Sequence, residues 1–401
     1  MSRGFSNLDC VGQGRKTVQR GANAIDGKGV GSRSRGSVSA RVFVNARIGF
    51  SDRIAGALPL YLGRRGPATT PVRAHRVHQF AAGQTLLTDR YMRFDKVHRV
   101  LKTLRHDVKA TWLHGWPYLN SRYVRGFPSQ HELRVVTPTS GELEIHLLTC
   151  ARDFQMAVWS ALNLTTVTGR RFPLVVHEDG TLSPRMLAAL RRYFPNARII
   201  TAFEANSASE RAYARYPRLL SLRKRLKPFW KLTDFALFCE AARFIILDSD
   251  QLFFSTPEEL LRGPLNCPYL FLRDLVSTYS VSPTYGGGML APRIACGLGN
   301  VAKTSLDFER MESFLRASAV DLEHCDMWIE QTLWALECGA SGVEYLPESY
   351  AIALGPGWKG KKAKHYIGPS RDYFFTEGIP VVEQMLRDDI LRSPVVRQAA
   401  A

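Results

Sequence analysis

The first part of the chain contains almost no acidic residues. Residues 1–91 carry 15 Lys and Arg but only four Asp, and the first Glu of the chain is Glu132. This segment therefore supplies +11 of the net charge of +18, and it holds 13 of the 31 glycines. Such a composition offers too little apolar surface to form a core. We predict that residues 1–91 are a low-complexity, disordered basic tail, with Met92 as an alternative start of translation.

Long apolar runs and paired cysteines are also missing. The longest apolar run, residues 54–63, is interrupted by Gly56 and Pro59, so the sequence offers no candidate membrane span. The N-terminus lacks the apolar segment of a signal peptide. The seven cysteines are scattered and none lies in a C-x-x-C motif, which favours free thiols over disulfides or a zinc site. These absences predict a cytoplasmic protein and leave peripheral membrane contact through basic residues open.

The rest of the chain alternates between apolar runs typical of strands and amphipathic segments typical of helices. This alternation predicts an α/β fold with a doubly wound, mostly parallel sheet. Strands are predicted at residues 143–148, 173–177, 197–202, 244–247, 269–272, 285–290, 343–347 and 363–367. Helices are predicted after Asp153, at residues 184–193, through the basic region 206–242, and at residues 306–317 and 326–337.

Four segments follow from this pattern. They are the tail 1–91, an N-terminal helix with an aromatic loop at 92–141, a catalytic domain at 142–380 and a C-terminal helix or tail at 381–401. The helix near residues 94–113 is basic and amphipathic. We expect it to pack on the catalytic domain in preference to anchoring the chain to a membrane.

The strongest chemical signal is the stretch FIILDSD at residues 244–250. An apolar run rich in β-forming residues reads as a strand buried on both faces, and Asp248 and Asp250 follow where it should end. Ligands of open α/β sheets bind at the carboxyl ends of strands. Two close carboxylates repel unless a cation lies between them, and a hard divalent ion suits oxygen ligands. We therefore predict a metal site at this strand end.

With the acidic pair in this setting, the chain resembles the GT-A nucleotide-sugar glycosyltransferases, and the glycogenin-like family 8 most closely, over about residues 143–375. The resemblance rests on four stretches in the family's order. Residues 244–250 resemble its strand and D-x-D motif, and residues 286–290 (GGGML) its Asn-x-Gly bend with Gly286 for Asn. Residues 326–331 (DMWIEQ) resemble D-x-x-x-D-Q with Glu330 for Asp, and residues 365–371 (HYIGPSR) resemble H-x-x-G-x-x-K with Arg371 for Lys.

The resemblance implies an enzyme that transfers a sugar from a nucleotide-diphospho-sugar to a hydroxyl group, with retention of anomeric configuration. The donor would be a UDP- or GDP-sugar, and the acceptor, whether carbohydrate, lipid-linked or protein, is unknown. The implied cofactor is Mn²⁺ (or Mg²⁺), held by Asp248, Asp250 and His365.

The other site residues implied by the resemblance fall into two groups. The candidate catalytic residues are Glu330, Gln331 and Asp326. The candidate donor-binding residues are Thr149, Cys150, Lys231, Ser249, Gly287, Gly288, Gly368 and Arg371. We further expect Lys359, Lys361, Lys362 and Lys364 to form a cationic loop over the donor phosphates.

Two other functions stay open at this point. A nucleotidyltransferase also uses a doubly wound sheet and carboxylate-bound metal, but it should carry a Gly-rich loop after the first strand, where residues 149–152 read TCAR. A nucleic-acid-binding protein would explain the positive charge. Most of that charge lies in the predicted tail, so nucleic acid is the less favoured partner.

Overall fold

The computed structural model describes Leu101 and residues 104–124, 141–169, 171–281, 289–318, 320–352 and 354–392 of the 401-residue chain. The predicted tail, residues 1–91, lies outside the described residues. So does most of the predicted Gly-rich bend, including Gly286, Gly287 and Gly288. The predicted segment boundaries at residues 91 and 141 stay predictions.

In the described part of the chain, ten strands form two sheets. The strands are β1 Leu143–Thr149, β2 Leu174–Glu178, β3 Arg198–Ile200, β4 Arg243–Leu247, β5 Gln251–Phe253, β6 Tyr269–Arg273, β7 Ile294–Ala302, β8 Val343–Tyr345, β9 Tyr350–Ile352 and β10 Ala363–His365. Seven form the main sheet in the order β3-β2-β1-β4-β7-β6-β8, and β5-β10-β9 form a small second sheet. In the main sheet only β7 runs antiparallel to its neighbours, β4 and β6. The predicted α/β class with a mostly parallel sheet is confirmed.

The main helices follow or connect these strands. They are α1 Phe154–Val167, α2 Pro184–Tyr193, α3 Ala202–Ala212, α4 Pro217–Arg225, α5 Trp230–Phe238, α6 Glu258–Arg262, α7 Phe308–Ala317, α8 Trp328–Ser341 and α9 Ile379–Arg392. Shorter helical segments lie at Trp116–Leu119, Asn120–Val124, Lys227–Phe229, Lys303–Ser305, Gly368–Ser370, Arg371–Tyr373 and Phe374–Gly378.

Helices cover both faces of the sheet, which is why β4 is apolar throughout. Ile245 and Leu247 point into a core shared with α1 and α9, whereas Phe244 and Ile246 point into a second core shared with α5, α7 and α8. This alternation follows from the two-residue period of a strand. Burial on both faces, predicted from the run 244–247, is thus explained by two separate hydrophobic cores.

Three strands were not predicted from the sequence, and one of them, β7, lies at the centre of the sheet. Its sequence, IACGLGNVA, contains two glycines and few β-branched residues, so its intrinsic preference for a strand is weak. Packing on both sides decides its conformation, because eight of its nine residues are buried. The strand predicted at residues 285–290 lies mostly outside the described residues, and β7 begins at Ile294. The two others, β5 and β9, have three residues each.

The segment 104–124 packs on the α/β domain near its C-terminal helices. Nε2 of His114 lies 2.5 Å from Oδ2 of Asp372, and the Tyr118 ring meets Phe375 edge-on. Arg122 donates a hydrogen bond to Gln155 of α1 and lies over the Phe375 ring. Within the helix predicted near residues 94–113, Ala110 is buried in the core that α1 and α9 share, so the described part of that helix packs on the domain. Within the described part of the chain, no helix has the length and apolar character needed to span a membrane.

Arg223, in the basic region 206–242, is a buried cation. Arg223 is buried and forms two hydrogen bonds to the buried carboxylate of Asp234, of 2.7 and 2.6 Å. It also donates to Asn206, and its guanidinium lies 4.3 Å from the Trp230 ring centroid. Its neighbour Lys224 instead makes an exposed pair with Glu210. The same stretch of basic residues therefore contains both a structural cation and a surface cation.

We predict that Arg223→Ala lowers the free energy of unfolding by about 3–5 kcal/mol, because it leaves a buried carboxylate without its cation. Lys224→Ala, the matched control one residue away, should leave stability nearly unchanged because its partner is exposed. Urea unfolding of both variants followed by circular dichroism measures the difference. Equal stability of the two variants would contradict the assignment of Arg223 as a structural residue.

Candidate active site

Asp248 and Asp250 lie at the carboxyl end of β4, in the turn that leads into β5. The Asp248 N–H donates to the carbonyl of Gly297 on β7, and the Ser160 hydroxyl of α1 donates to the Asp248 carbonyl. The side chain of Asn163, one turn further along α1, exchanges two hydrogen bonds with the backbone of Phe253. The acidic turn is therefore fixed on one side by a neighbouring strand and on the other by a helix.

His365 reaches the acidic turn through the small sheet. In the antiparallel pairing of β5 with β10, His365 stands opposite Gln251, and the Tyr366 N–H donates to the carbonyl of Asp250. This places Nε2 of His365 2.9 Å from Oδ1 of Asp250 and 3.8 Å from Oδ2 of Asp248. A residue 115 positions later in the chain thus faces both carboxylates.

Arg371 binds the same aspartate from the other side. Its Nη2 and Nε lie 2.8 and 2.9 Å from Oδ2 of Asp250, and its Nη1 lies 3.2 Å from Oδ1 of Asp153. Burial raises the pKa of Asp250, but His365 and Arg371 outweigh burial and hold that pKa below its usual range. Asp250 is therefore a buried carboxylate that stays charged.

Lys231 plays the corresponding role for the other aspartate. Its ammonium lies 3.1 Å from Oδ1 of Asp248 and 3.5 Å from Oε2 of Glu330. Burial lowers the pKa of Lys231, but the two carboxylates more than offset this and raise it well above the ordinary value. Burial raises the pKa of Glu330 to about 7, against the opposing charge of Lys231. Lys231 therefore joins the D-x-D turn to helix α8.

In each aspartate one carboxylate oxygen binds a basic side chain, Lys231 for Asp248 and Arg371 for Asp250. The other oxygen faces His365. Oδ2 of Asp248, Oδ1 of Asp250 and one nitrogen of His365 converge, and the ligand atoms of these three residues lie within 4.8 Å of one another. Two carboxylates and an imidazole suit Mn²⁺, which accepts nitrogen ligands more readily than Mg²⁺ does. The residues predicted as metal ligands are thus brought together in an arrangement that fits a divalent ion.

A bulge in β7 leaves space for this cluster. The pairing of β6 with β7 shifts between Phe271 and Leu272, so that three residues of β7 around Gly297 have no partner on β6. A Cβ atom on Gly297 would lie 2.4 Å from Cε1 of His365 and 2.7 Å from Oδ2 of Asp248. Only glycine fits there without moving a proposed ligand, and bulges of this kind often lie beside active sites.

The three candidate catalytic residues on α8 occupy different environments. Glu330 is buried, binds Lys231 and accepts a hydrogen bond from the Trp334 indole. Gln331 donates to Oδ2 of Asp274. Asp326 is exposed at the start of α8, where it accepts from the Ser280 hydroxyl and the Trp328 N–H. Contacts therefore connect Glu330 to the acidic turn, whereas Asp326 contacts Ser280 and the backbone at the start of α8.

The candidate nucleotide-binding residues at the end of β1 lie beside the acidic turn. In the parallel pairing Leu147 is opposite Leu247, so continuing the two chains places Thr149 level with Ser249. Both residues are buried. Burial raises the pKa of the Cys150 thiol to about 11, so this cysteine is not a thiolate nucleophile at neutral pH.

Gly368 begins the short helical segment that leads to Arg371, and its φ of 33° lies in the range that favours glycine. Gly287 and Gly288 lie outside the described residues.

The expected cationic loop over the phosphates is not formed as predicted. Lys362 binds Glu258 and Glu259, Lys364 is buried against Glu377, and Lys361 donates to the carbonyl of Glu348. Of the four lysines, Lys359 is exposed at the surface. Glutamates from α6 and from the segment before α9 thus provide partners that could not be seen in the local sequence.

Two residues of the site were missed in the sequence. A helix was predicted after Asp153, and Asp153 is indeed the N-cap residue of α1. Its carboxylate makes no cap hydrogen bond, however, and binds Arg152 and Arg371. Gly297 lies in the strand that was itself not predicted. Neither could be assigned from spacing, because both depend on segments that are distant in sequence. The adjacent Arg152-Asp153 pair after β1 was the only local signal.

Comparisons with known proteins give structural matches only; no family model and no curated protein matches the sequence. One matching structure is the galactosyltransferase LgtC with donor and acceptor sugar analogues, at 12% identity over 61% of this chain and 99% of the other, with a TM-score of 0.42. Another is mouse xyloside xylosyltransferase 1, at 11% identity, 57% and 98% coverage and a TM-score of 0.41. A third is core-mannan synthase A from Aspergillus fumigatus in a Mn/GDP form. It is 8% identical over 53% of this chain and 74% of the other, with a TM-score of 0.38.

We predict that Gly297→Ala lowers the free energy of unfolding by about 1–3 kcal/mol, because the added methyl group must displace His365 or Asp248. Gly355→Ala is the matched control, since a Cβ there would meet nothing within 4 Å. Thermal unfolding of both variants gives the comparison. A Gly297→Ala variant as stable as the control would show that the bulge accommodates a methyl group without displacing His365 or Asp248.

Proposed function

We propose that this chain is a metal-dependent glycosyltransferase that uses a nucleotide-diphospho-sugar donor. One observation carries the proposal: Asp248, Asp250 and His365 converge at the carboxyl end of a central strand, with Arg371 beside them. Carboxylates and imidazole provide the ligands for a divalent ion, and a guanidinium provides a fork that fits a phosphate. Ligands of open α/β sheets bind at this edge.

A divalent ion held by these three residues would supply positive charge to the donor pyrophosphate as it becomes the leaving group. The chain's own residues prepare the site for that chemistry. Lys231 fixes Oδ1 of Asp248, which leaves Oδ2 free to face His365. The β5–β10 pairing fixes the ring of His365 against both aspartates. The proposed ligands are thus held in place before a donor arrives, which lowers the cost of reorganisation.

Arg371 is the proposed pyrophosphate contact. In the structure its guanidinium binds Asp250 and Asp153, so part of its hydrogen-bonding capacity is already used. A metal ion at Asp250 would supply the positive charge that Arg371 now provides there. The guanidinium would then be free to turn one edge towards the phosphates of the donor, where a charge-assisted contact strengthens as negative charge builds.

Glu330 and Gln331 are the proposed residues on the sugar side. Lys231 links Glu330 directly to Asp248, so the α8 carboxylate and the acidic turn hold a fixed relation. Gln331 lies on the same turn of helix and binds Asp274, which follows β6. We propose that this side of the site positions the transferred sugar and the acceptor hydroxyl, with retention of anomeric configuration as the family resemblance implies.

The test is a donor screen in which UDP- and GDP-sugars are incubated with the full chain and Mn²⁺. A glycosyltransferase hydrolyses its donor slowly without an acceptor, releasing the nucleoside diphosphate and the free sugar. A nucleotidyltransferase would instead act on a nucleoside triphosphate and release pyrophosphate. Chromatography of the nucleotide products separates the two, and turnover of triphosphates alone would overturn the proposal.

We predict that donor hydrolysis stops in EDTA and returns when Mn²⁺ is added in excess. Asp250→Asn keeps the shape of the side chain but removes its charge, and it should lower turnover at least about a hundredfold. Asp321→Asn changes an exposed aspartate on a distant turn and serves as the control. Full activity in EDTA, or equal activity of the two variants, would contradict the metal site.

We predict opposite effects on metal binding for the two residues that flank Asp250. His365→Ala should weaken Mn²⁺ binding, because a nitrogen ligand is lost. Arg371→Ala should leave Mn²⁺ binding as tight as in the wild type or tighter, because a cation that competes for Asp250 is removed. Arg371→Ala should nevertheless lower turnover about ten- to a hundredfold, and Arg371→Lys should recover part of that loss.

Calorimetric titration with Mn²⁺ and steady-state kinetics on the same preparations measure both effects. The opposed outcome, in which His365→Ala binds Mn²⁺ normally and Arg371→Ala does not, would exchange the proposed roles of the two residues.

A further inference from the structure

The exposed side of Leu101 and residues 104–116 is unusually apolar. The helix there ends at Gly115, whose φ is 57°, and Trp116 begins the next short helical segment. Its six large apolar side chains are between 52% and 82% exposed, and they are Leu101, Leu104, Val108, Trp112, Leu113 and Trp116. Isolated apolar residues on a surface need no explanation, but a contiguous group of this size marks an interaction site. No contact within the described residues covers this face, although the segment itself is fixed to the domain.

The three faces of this helix have distinct characters. At about 100° per residue, Leu104, Val108 and Trp112 fall within about 80° of one another. The exposed cations Arg105 and Lys109 follow directly on one side of this apolar stripe. On the opposite side lie Ala110, which is buried, and His114, which binds Asp372. The helix is therefore tied to the domain by one face and presents an apolar stripe with a basic flank outwards.

We propose that this face binds the surface of an anionic lipid bilayer, with the tryptophans at the level of the headgroups. Helices with an apolar stripe of Leu, Val and Trp beside Lys and Arg lie in the membrane interface. Two further observations support a lipid partner. The two tryptophans are the most amphipathic large side chains of the face, and tryptophan is enriched at this depth. The net charge of the chain is +18, so attraction to acidic headgroups acts in the same direction.

Contacts connect this helical segment to the candidate active site. His114 binds Asp372, the residue that follows Arg371, and Arg122 contacts α1 beside the acidic turn. The segment that carries the proposed lipid-binding face thus contacts the neighbour of Arg371 and the helix that follows β1. Binding of the helix would hold that site at the membrane surface, where a lipid-linked acceptor would be found.

The experiment is co-sedimentation of the full chain with vesicles made of equal parts phosphatidylglycerol and phosphatidylcholine. It is carried out at low and at high salt, because the 15 Lys and Arg of residues 1–91 would themselves attract anionic vesicles at low salt. High salt screens exposed charges within a few ångströms and leaves insertion of apolar side chains as the main term. We expect wild-type binding to persist at high salt.

Trp112→Ser with Trp116→Ser should lower vesicle partition at high salt by about tenfold or more. Phe203→Ser with Leu265→Ser is the matched control, because these side chains are also exposed and apolar but lie elsewhere. A second pair of double variants tests, at low salt, whether the positive charges beside the apolar stripe contribute to vesicle binding. Arg105→Gln with Lys109→Gln should reduce binding more than Arg185→Gln with Arg191→Gln, which removes the same charge from α2.

Trp112→Phe with Trp116→Phe keeps the apolar surface and reports the position of the two indoles. Vesicles that carry brominated acyl chains should quench the tryptophan emission of the wild type, and this quenching should fall sharply in the Phe variant while vesicle binding is kept.

Unchanged binding of the Ser variant at high salt, or equal losses in test and control pairs, would overturn the proposal. Loss of a wild-type dimer in the Ser variant without loss of vesicle binding would assign the face to self-association instead. None of these readouts requires a nucleotide-sugar, so they are independent of the proposed function.

Discussion

The charge balance around Asp250 is the interaction on which the candidate site depends. This carboxylate is buried, and a buried charge is tolerated only where opposite charges and hydrogen bonds offset the loss of water. His365 and Arg371 provide that compensation from one side of the fold, and Lys231 does the same for Asp248 from the other. The three partner side chains are fixed by three different elements, α5, β10 and the short helix at Arg371, so the whole domain must fold before the two aspartates gain their partners. Positions in the fold, and not neighbours in sequence, therefore determine the charge state of the site.

The same cluster explains an otherwise unfavourable feature of the sheet. Strand β7 lies between β4 and β6, yet it contains glycine at positions where strands normally place branched or aromatic residues. Gly297 interrupts the pairing with β6 and leaves the volume that His365 and Asp248 occupy. Gly299 leaves room in the same way for the Phe271 ring, which a Cβ would approach to 2.7 Å. The glycines lower the intrinsic strand preference of β7. They also leave space at the carboxyl edge of the sheet, where the side chains of the site converge.

The N-terminal helical segment extends this organisation outwards. Its contacts with Asp372, Phe375 and Gln155 join it to both sequence regions that form the site, the one after β10 and the one after β1. A surface that faces lipid and a site that faces a donor can be held in a fixed relation only through such rigid contacts. The two proposals are independent in their tests, yet the structure connects them through a single packed segment.

The sequence by itself determined the α/β class, the strand that ends in Asp248 and Asp250, and the buried state of that strand on both faces. These follow from local properties, namely two-residue and helical periodicity and the presence of charge immediately after an apolar run. It also indicated His365 and Arg371, but only through a resemblance, since 115 and 121 positions separate them from Asp250. Only the tertiary structure decided that the Asp153 carboxylate binds Arg371, that Lys362 and Lys364 pair with glutamates, that Arg223 is buried, and that Gly297 leaves space for His365 and Asp248. Each of these depends on which side chain from a distant segment arrives at a given point, and a partner of that kind leaves no trace in the local pattern of residues.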